Sequence, residues 1–201
     1  GYHCSVTTAR VILASRSPRR LELLNEAGFS FVPVPADIDE ETYPQSIAPT
    51  QVAEFLARSK AEVVANQYPH EVVLGADTVV AHGDAVLGKP EDAEHARWML
   101  GQLAGSIHTV VTAVCVMHKT AERVDVAHRV STVSMRPLST AEIDLYVASG
   151  DWRGKAGGYG IQDRDPFVTN MGGSVTNIVG LPMELAVPML AAMGVVPGNM
   201  I

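Results

Sequence analysis

Val11-Ile-Leu-Ala-Ser-Arg-Ser-Pro-Arg-Arg20 is the stretch from which the rest of the chain can be read. An apolar run ends in two serines, a proline and two adjacent arginines. Residues 11–14 read as a short buried strand. Ser17 before Pro18 marks a helix start: a hydroxyl to cap free N–H groups, then a residue whose φ already suits the first turn. Leu21, Leu23 and Leu24, with Gly28 as a stop, carry that helix over 18–27. This strand-then-helix unit opens an alternation that continues down the chain and indicates an α/β fold.

The same stretch places Arg19 and Arg20 in the first helical turn. The helix dipole is positive there, and each cation costs about 0.3–1 kcal/mol. A capping box would want Glu or Gln at position 20, where the chain has Arg. Bare N–H groups, a hydroxyl and two guanidiniums suit a polyanion such as a phosphate chain. The competing reading is a solvated basic turn paired with nearby carboxylates.

Working outward, residues 29–35 alternate loosely and read as a strand that leads into the acidic cluster Asp37, Asp39, Glu40 and Glu41. Thr50 can cap a helix over 51–66, with Val52, Phe55, Leu56, Ser59 and Val63 along one face. Taken alone, Lys60 on that helix reads as a solvated lysine. A β-branched run at 72–74 enters Gly75-Ala-Asp-Thr-Val-Val80. Strand interiors disfavour Asp. Asp77 is therefore paired, metal-bound or catalytic, because burying an acid alone is expensive. Residues 81–85 read as a hairpin turn. Gly83 to Lys89 has P-loop spacing, but Pro90 replaces the Ser or Thr that would hold Mg²⁺, and the loop interior is not glycine-rich. Lys89 is held between Gly88 and Pro90 on a stiff turn.

An amphipathic helix follows over 92–104, then a nearly unbroken apolar strand over 110–116 that suits a centre covered on both faces. Alternation at 124–132 marks a half-exposed strand beside it. Ser139 and Glu142 form a capping box for a helix ending at Gly150. The stretch 150–163 then sets five glycines around Lys155, Tyr159 and Gln162, which lets backbone approach a base or a phosphate closely. Residues 167–170 and 175–179 are expected to pair as strands across Gly172-Gly173. A last helix starts at Leu181-Pro182, with Pro188 expected to kink or split it.

Of the 201 residues, 47% are hydrophobic and 18% charged, enough for a core in one domain or two small lobes. The formal net charge of -7 argues against non-specific nucleic-acid or membrane binding. Two separated cysteines, Cys4 and Cys115, point to a reducing, cytoplasmic setting rather than a disulfide framework or zinc site. No apolar run approaches the ~20 residues that span a bilayer. The seven histidines lack metal-motif spacing.

In order, Leu13-Ala-Ser-Arg-Ser-Pro-Arg-Arg20, Asp37-Ile-Asp-Glu40, Lys60-Ala61, Gly75-Ala-Asp-Thr-Val-Val80, Leu87-Gly-Lys-Pro90, His108, Ser149-Gly150, Lys155-Ala-Gly-Gly-Tyr-Gly-Ile-Gln162 and Val179-Gly-Leu-Pro182 resemble the Maf family, nucleoside triphosphate pyrophosphatases once linked to septum formation. The resemblance covers almost the whole length. It implies a single domain over 1–201, with 1–10 as an N-terminal extension, and an elongated mixed β-sheet flanked by helices in two lobes around a cleft. It implies hydrolysis between the α- and β-phosphates with Mg²⁺ or Mn²⁺, clearance of surplus or modified nucleotides, and a homodimer. The form of 155–162 looks like the branch acting on dTTP and UTP. The rivals are the 7-methyl-GTP branch and a nucleotide-binding regulator of cell division without turnover. Two positions depart from the family: Asp163 stands where glycine is usual, and Val175 where an aromatic residue is usual.

On this reading Arg19, Arg20, Lys60, Lys89 and Lys155 converge to neutralise a triphosphate. Asp77, Lys60 and Lys89 are the catalytic set. Asp77 either deprotonates the water or holds the metal that does so. Glu40 and Asp39 are further oxygen ligands. Ser15 and Ser17 grip phosphate oxygens, Tyr159 lines the loop, and Gln162 reads a pyrimidine edge.

Overall fold

The computed structural model describes residues 9–163 and 166–198. Most of the expected N-terminal extension, residues 1–8, lies outside the described residues. Strand β1 (Val11–Leu13) is fully buried and runs into helix α1 (Pro18–Glu26), whose cap Ser17 accepts a hydrogen bond from the Arg20 N–H. Burial of Leu24 contributes about 1.5–3 kcal/mol. That offsets the dipole penalty of the two arginines. Strand β2 (Phe31–Pro33) is shorter than the expected 29–35, because the Phe29 N–H instead closes the end of α1 on the Leu24 carbonyl.

Helix α2 (Pro49–Ala65) begins earlier than expected. Thr50 is inside the helix rather than at its cap. Pro49 takes the first helical position, and the Gln51 side chain turns back to accept the Ala48 N–H. Its buried face is also rotated from the expected one: Ala53, Ala57, Lys60 and Ala61 face inward, while Phe55 is 41% exposed. Gly75 explains this. A Cβ there would fall 2.5 Å from the Ala57 carbonyl oxygen and 2.9 Å from the Ala61 nitrogen. The helix backbone thus lies directly on the strand, and only small side chains fit between them.

The remaining elements are β3 (Val72–His82), β4 (Ala85–Leu87), α3 (Ala93–Leu103), β5 (Ile107–His118), β6 (Arg123–Met135), α4 (Thr140–Ser149), a 3-10 turn (Ala156–Gly158), β7 (Val168–Gly172), α5 (Val175–Val179) and α6 (Met183–Ala192). The expected strand at 175–179 is therefore a helix. Ser174 caps it by accepting from the Asn177 N–H, and Gly180 ends it; the cap outweighs the weak strand preference of its β-branched residues. Residues 168–172 pair instead with β6. Helix α6 continues through Pro188 without a break.

The seven strands among the described residues form one mixed sheet in the order β2-β1-β3-β5-β6-β7, with β4 also on β3. β1 is parallel to β2 and β3, and the other pairs are antiparallel. β5 occupies one edge of β3 from Val72 to Ala81. β1 and β4 must then share the opposite edge, β1 at 72–74 and β4 at 80–82. Between them residues 75–79 have no strand neighbour on that side among the described residues. The cores divide in the same way. Toward β1, α2 packs on one face (Ile12, Leu56, Val73) and α1 with α6 on the other (Leu13, Leu24, Leu74, Leu190). Toward β4, α3 and α4 pack around Met99, Leu103, Val110, Met135 and Ile143. Helices thus flank the mixed sheet at both ends, as the sequence led us to expect.

Candidate active site

The bare edge of β3 opens into a cleft. Asp77 and Thr78 come from the strand itself, Ser17, Arg19 and Arg20 from the start of α1, Lys60 from α2, Lys89 from the turn after β4, and residues 154–163 from the glycine-rich stretch. Alternation along β3 turns Asp77 toward α2 with Gly75 and Val79, and turns Thr78 toward the α1 side. The close approach allowed by Gly75 brings Lys60, which precedes Ala61, over the acid.

Lys60 Nζ lies 2.9 Å from Asp77 Oδ1, both side chains 7% exposed. Glu40 reaches the same ammonium from the loop before α2 and lies 3.9 Å from Lys89 Nζ. Asp77 Oδ2 is buried without a hydrogen-bond partner among the described residues. Burial pushes the Asp77 carboxyl above its ordinary value, with Lys60 and Arg20 opposing. Burial alone would raise Glu40 too, but Lys60 and Lys89 hold it below the usual range. Burial and the neighbouring Lys60 lower Lys89.

The expected site residues divide by place. Ser17, Arg19, Arg20, Lys60, Asp77, Lys89, Lys155, Tyr159 and Gln162 all line the cleft. Gln162 is exposed in it. Arg19 donates to the Gly154 carbonyl at 2.8 Å, tying α1 to the glycine-rich stretch. Lys155 donates to Asp163 at 2.6 Å. Arg20 is a buried strut: Nε donates to the Gly180 carbonyl, Nη1 to Ser15 Oγ and Nη2 to Thr78 Oγ1. Ser15 is taken up by Arg20 and by the Ser17 N–H, and it is not a lining residue. Tyr159 contributes its ring, while its hydroxyl is held by His108 Nε2 at 2.6 Å.

Asp39 does not join. It is exposed, and both carboxylate oxygens are used in its own turn, one by the Glu41 N–H and one by Thr42 Oγ1. No group of three or more His, Cys, Asp or Glu is disposed to hold a metal among the described residues. The pair Glu40 and Asp77 remains. An orphaned buried oxygen on Asp77 beside a second carboxylate fits a hard divalent cation that fills its other positions with water and phosphate oxygens.

Thr78, the Gly180 carbonyl, and the apolar walls Val80, Val110 and Ile178 were not singled out from the sequence. Thr78 and Gly180 do fall inside two of the motifs quoted above, and that was the available signal. The apolar walls read as ordinary core.

A profile of the Maf-like protein family matches residues 10–193. The chain is 43% identical over 185 residues to a dTTP/UTP pyrophosphatase of Pelotomaculum thermopropionicum, covering 92% of this chain and 96% of that protein. It is 46% identical over 176 residues to a dTTP/UTP pyrophosphatase of Salinibacter ruber, covering 87% and 86%. Among solved structures, a nucleoside-triphosphatase / dITP/XTP pyrophosphatase from Mycobacterium abscessus aligns with a TM-score of 0.45 at 16% identity, covering 92% of this chain and 97% of that one. With its conserved-family match running from the first strand through the last helix, the chain belongs to the Maf-like protein family.

Proposed function

We propose that this chain is a nucleoside triphosphate pyrophosphatase that takes dTTP- and UTP-like substrates to the monophosphate and pyrophosphate. The observation that carries the reading is the half-satisfied Asp77 carboxylate, paired to Lys60 through one oxygen and buried without a partner among the described residues at the other, on the bare edge of β3 beside Arg19 and Lys89. The identities to dTTP/UTP pyrophosphatases support the same chemistry and favour a pyrimidine substrate.

In the reaction, the water oxygen bonds to the α-phosphorus and the bond to the α–β bridging oxygen breaks. Asp77 Oδ2 orients the water and takes its proton; the upward push of burial makes this carboxylate a stronger base than an exposed Asp. Lys60 fixes the carboxylate, and Lys89 and Arg19 take up charge on the departing pyrophosphate. Glu40 would hold the divalent cation, with Asp77 Oδ2 as its second oxygen ligand in the alternative in which Asp77 is a metal ligand and not the base. Such a cation, Mg²⁺ or Mn²⁺, would supply positive charge against the developing phosphate charge. Tyr159, Ile161 and Val110 offer an apolar seat for the base, with the Gln162 amide able to donate and accept at its edge. No helix among the described residues is long and apolar enough to cross a membrane; the two widely separated cysteines support a reducing, cytoplasmic setting.

The test is incubation with Mg²⁺ and a panel of triphosphates. Monophosphate plus pyrophosphate, fastest from dTTP and UTP, is the expected result. Diphosphate plus orthophosphate would mean a different phosphohydrolase, and tight binding without turnover would mean a regulator.

A further inference from the structure

Two acids line the cleft, Asp77 and Asp163. The reaction above uses the first and gives the second no part. Asp163 is nevertheless held as firmly as a working residue. Its Oδ1 accepts from Lys155 Nζ at 2.6 Å; its Oδ2 accepts from the Tyr146 hydroxyl at 2.8 Å and the Gly160 N–H at 2.9 Å. The Lys155 and Asp163 side chains are 17% and 13% exposed. Gly160 closes over them: a Cβ there would fall 2.8 Å from Asp163 Oδ1 and 3.0 Å from Lys155 Nζ. Tyr146 on α4 and the Gly160 backbone thus keep the carboxylate in place whatever Lys155 does.

This arrangement makes Lys155 an odd phosphate ligand. Its charge is already met by a short charge-assisted hydrogen bond before any anion arrives. A phosphate oxygen has to compete with Asp163 for the ammonium. The cleft has a use for such competition, because cleavage of a phosphoanhydride leaves two anions on the same cations that bound one. Grip shared equally by substrate and product lowers KM and slows release without helping the chemical step.

We propose that Asp163 is a positioning residue for Lys155: an internal anion that holds the ammonium in place and limits how tightly the cleft grips a polyphosphate. The proposal rests on the reading of the cleft as a polyphosphate site. It gives the chain a way to carry a dense set of cations without being trapped by its own pyrophosphate.

The experiment uses the full chain and inorganic pyrophosphate as the probe, with Kd from calorimetry across a salt series, and KM and kcat from dTTP turnover. Asp163→Asn removes the charge at nearly constant shape. Its Kd for pyrophosphate is expected to fall about tenfold, the scale of one charge-assisted hydrogen bond. KM and kcat are expected to fall together, with a steeper loss of affinity as salt rises. An unchanged or weaker Kd in a variant that melts like the parent overturns the proposal, since a merely structural Asp163 would loosen the site. Asp163→Gly carries the same expectation if the asparagine variant does not fold. Failure of the unaltered protein to bind pyrophosphate or any triphosphate overturns the polyphosphate reading itself, and with it this inference.

Discussion

Lys60 Nζ stands 2.9 Å from Asp77 Oδ1 in a pair almost sealed from solvent, and the second oxygen of that carboxylate has no partner among the described residues. An ion pair this buried is a poor device for stability alone, because desolvating both charges uses up most of their attraction. Its buried, unpartnered oxygen is what a pair kept only for stability would lack. Asp77→Asn keeps an acceptor for Lys60 and removes the base. Nucleotide binding is expected to persist while turnover drops at least ~10²-fold. Near-normal turnover in a folded Asp77→Asn protein would take Asp77 out of the mechanism. Lys60→Met, by contrast, leaves a buried carboxylate uncompensated and is expected to cost about 3–5 kcal/mol in denaturant unfolding at neutral pH. Protonation of Asp77 relieves that charge, so the deficit should shrink as pH falls.

Gly75 sets the distance between α2 and β3, so it acts on Lys60 through the inward face of the helix that Lys60 shares with Ala57 and Ala61. A methyl group at position 75 meets backbone atoms of Ala57 and Ala61, which cannot swing aside as a flexible side chain would. Gly75→Ala is expected to push α2 outward, destabilise the protein by about 1–3 kcal/mol, and lower kcat more than it raises KM. Thermal unfolding beside dTTP kinetics checks both halves. A variant that loses stability but keeps full kcat would show that the Lys60–Asp77 contact tolerates the shift.

Two opposed shifts fix the pH dependence. Burial raises Asp77, so the base is lost by protonation at a higher pH than an ordinary Asp of about 3.9. Burial and Lys60 lower Lys89, so its charge is lost on the alkaline side below the ordinary lysine value of about 10.4. A plot of kcat/KM against pH is expected to be a bell narrower on both sides than the unshifted groups would give. Lys89→Arg keeps its charge across the range and should move the alkaline limb upward while leaving the acid limb in place.

The sequence made the two ends of the site legible and hid its middle. Ser17-Pro18 announced the start of α1 because a cap and a proline act locally, and the capping box at Ser139 did the same for α4. Asp77 stood out because an acid inside a β-branched run has to be explained. Lys60 did not, since the largest residues of α2 suggested a face through Phe55. The helix turns its alanines inward because Gly75, far away in sequence, lets the backbones touch. Arg19 and Arg20 looked equivalent as neighbours, and both line the cleft, yet Arg19 is half-buried while Arg20 is a buried strut tied to Ser15, Thr78 and Gly180. Asp39 and Glu40 looked equivalent for the same reason, and the turn takes up Asp39 entirely. Adjacent like residues diverge according to which tertiary partner each one meets, and no local pattern carries that information.

His108 shows how the apolar side of the cleft is held. Its Nε2 meets the Tyr159 hydroxyl at 2.6 Å and its Nδ1 meets Ser106 Oγ at 3.0 Å, so a neutral ring accepting from the phenol and donating to the serine satisfies both nitrogens. Burial, with His82 nearby, pushes the imidazole down to about 4. The folded ring therefore stays neutral where an unfolded one, at about 6.5, takes a proton. Between those two values the unfolded chain binds the extra proton, so the stability that His108 confers is lost as pH falls through that window. His108→Phe removes the titration and is expected to flatten the dependence of unfolding free energy on pH from about 6.5 down to about 4. It also leaves the buried Tyr159 hydroxyl without its partner, at a cost of about 1–3 kcal/mol at neutral pH. Adding Tyr159→Phe deletes that orphaned hydroxyl. The double variant should therefore be destabilised by less than the sum of the two single changes. Additive losses would mean that the hydroxyl finds water when His108 is gone, and the ring would then owe its place in the cleft to packing alone.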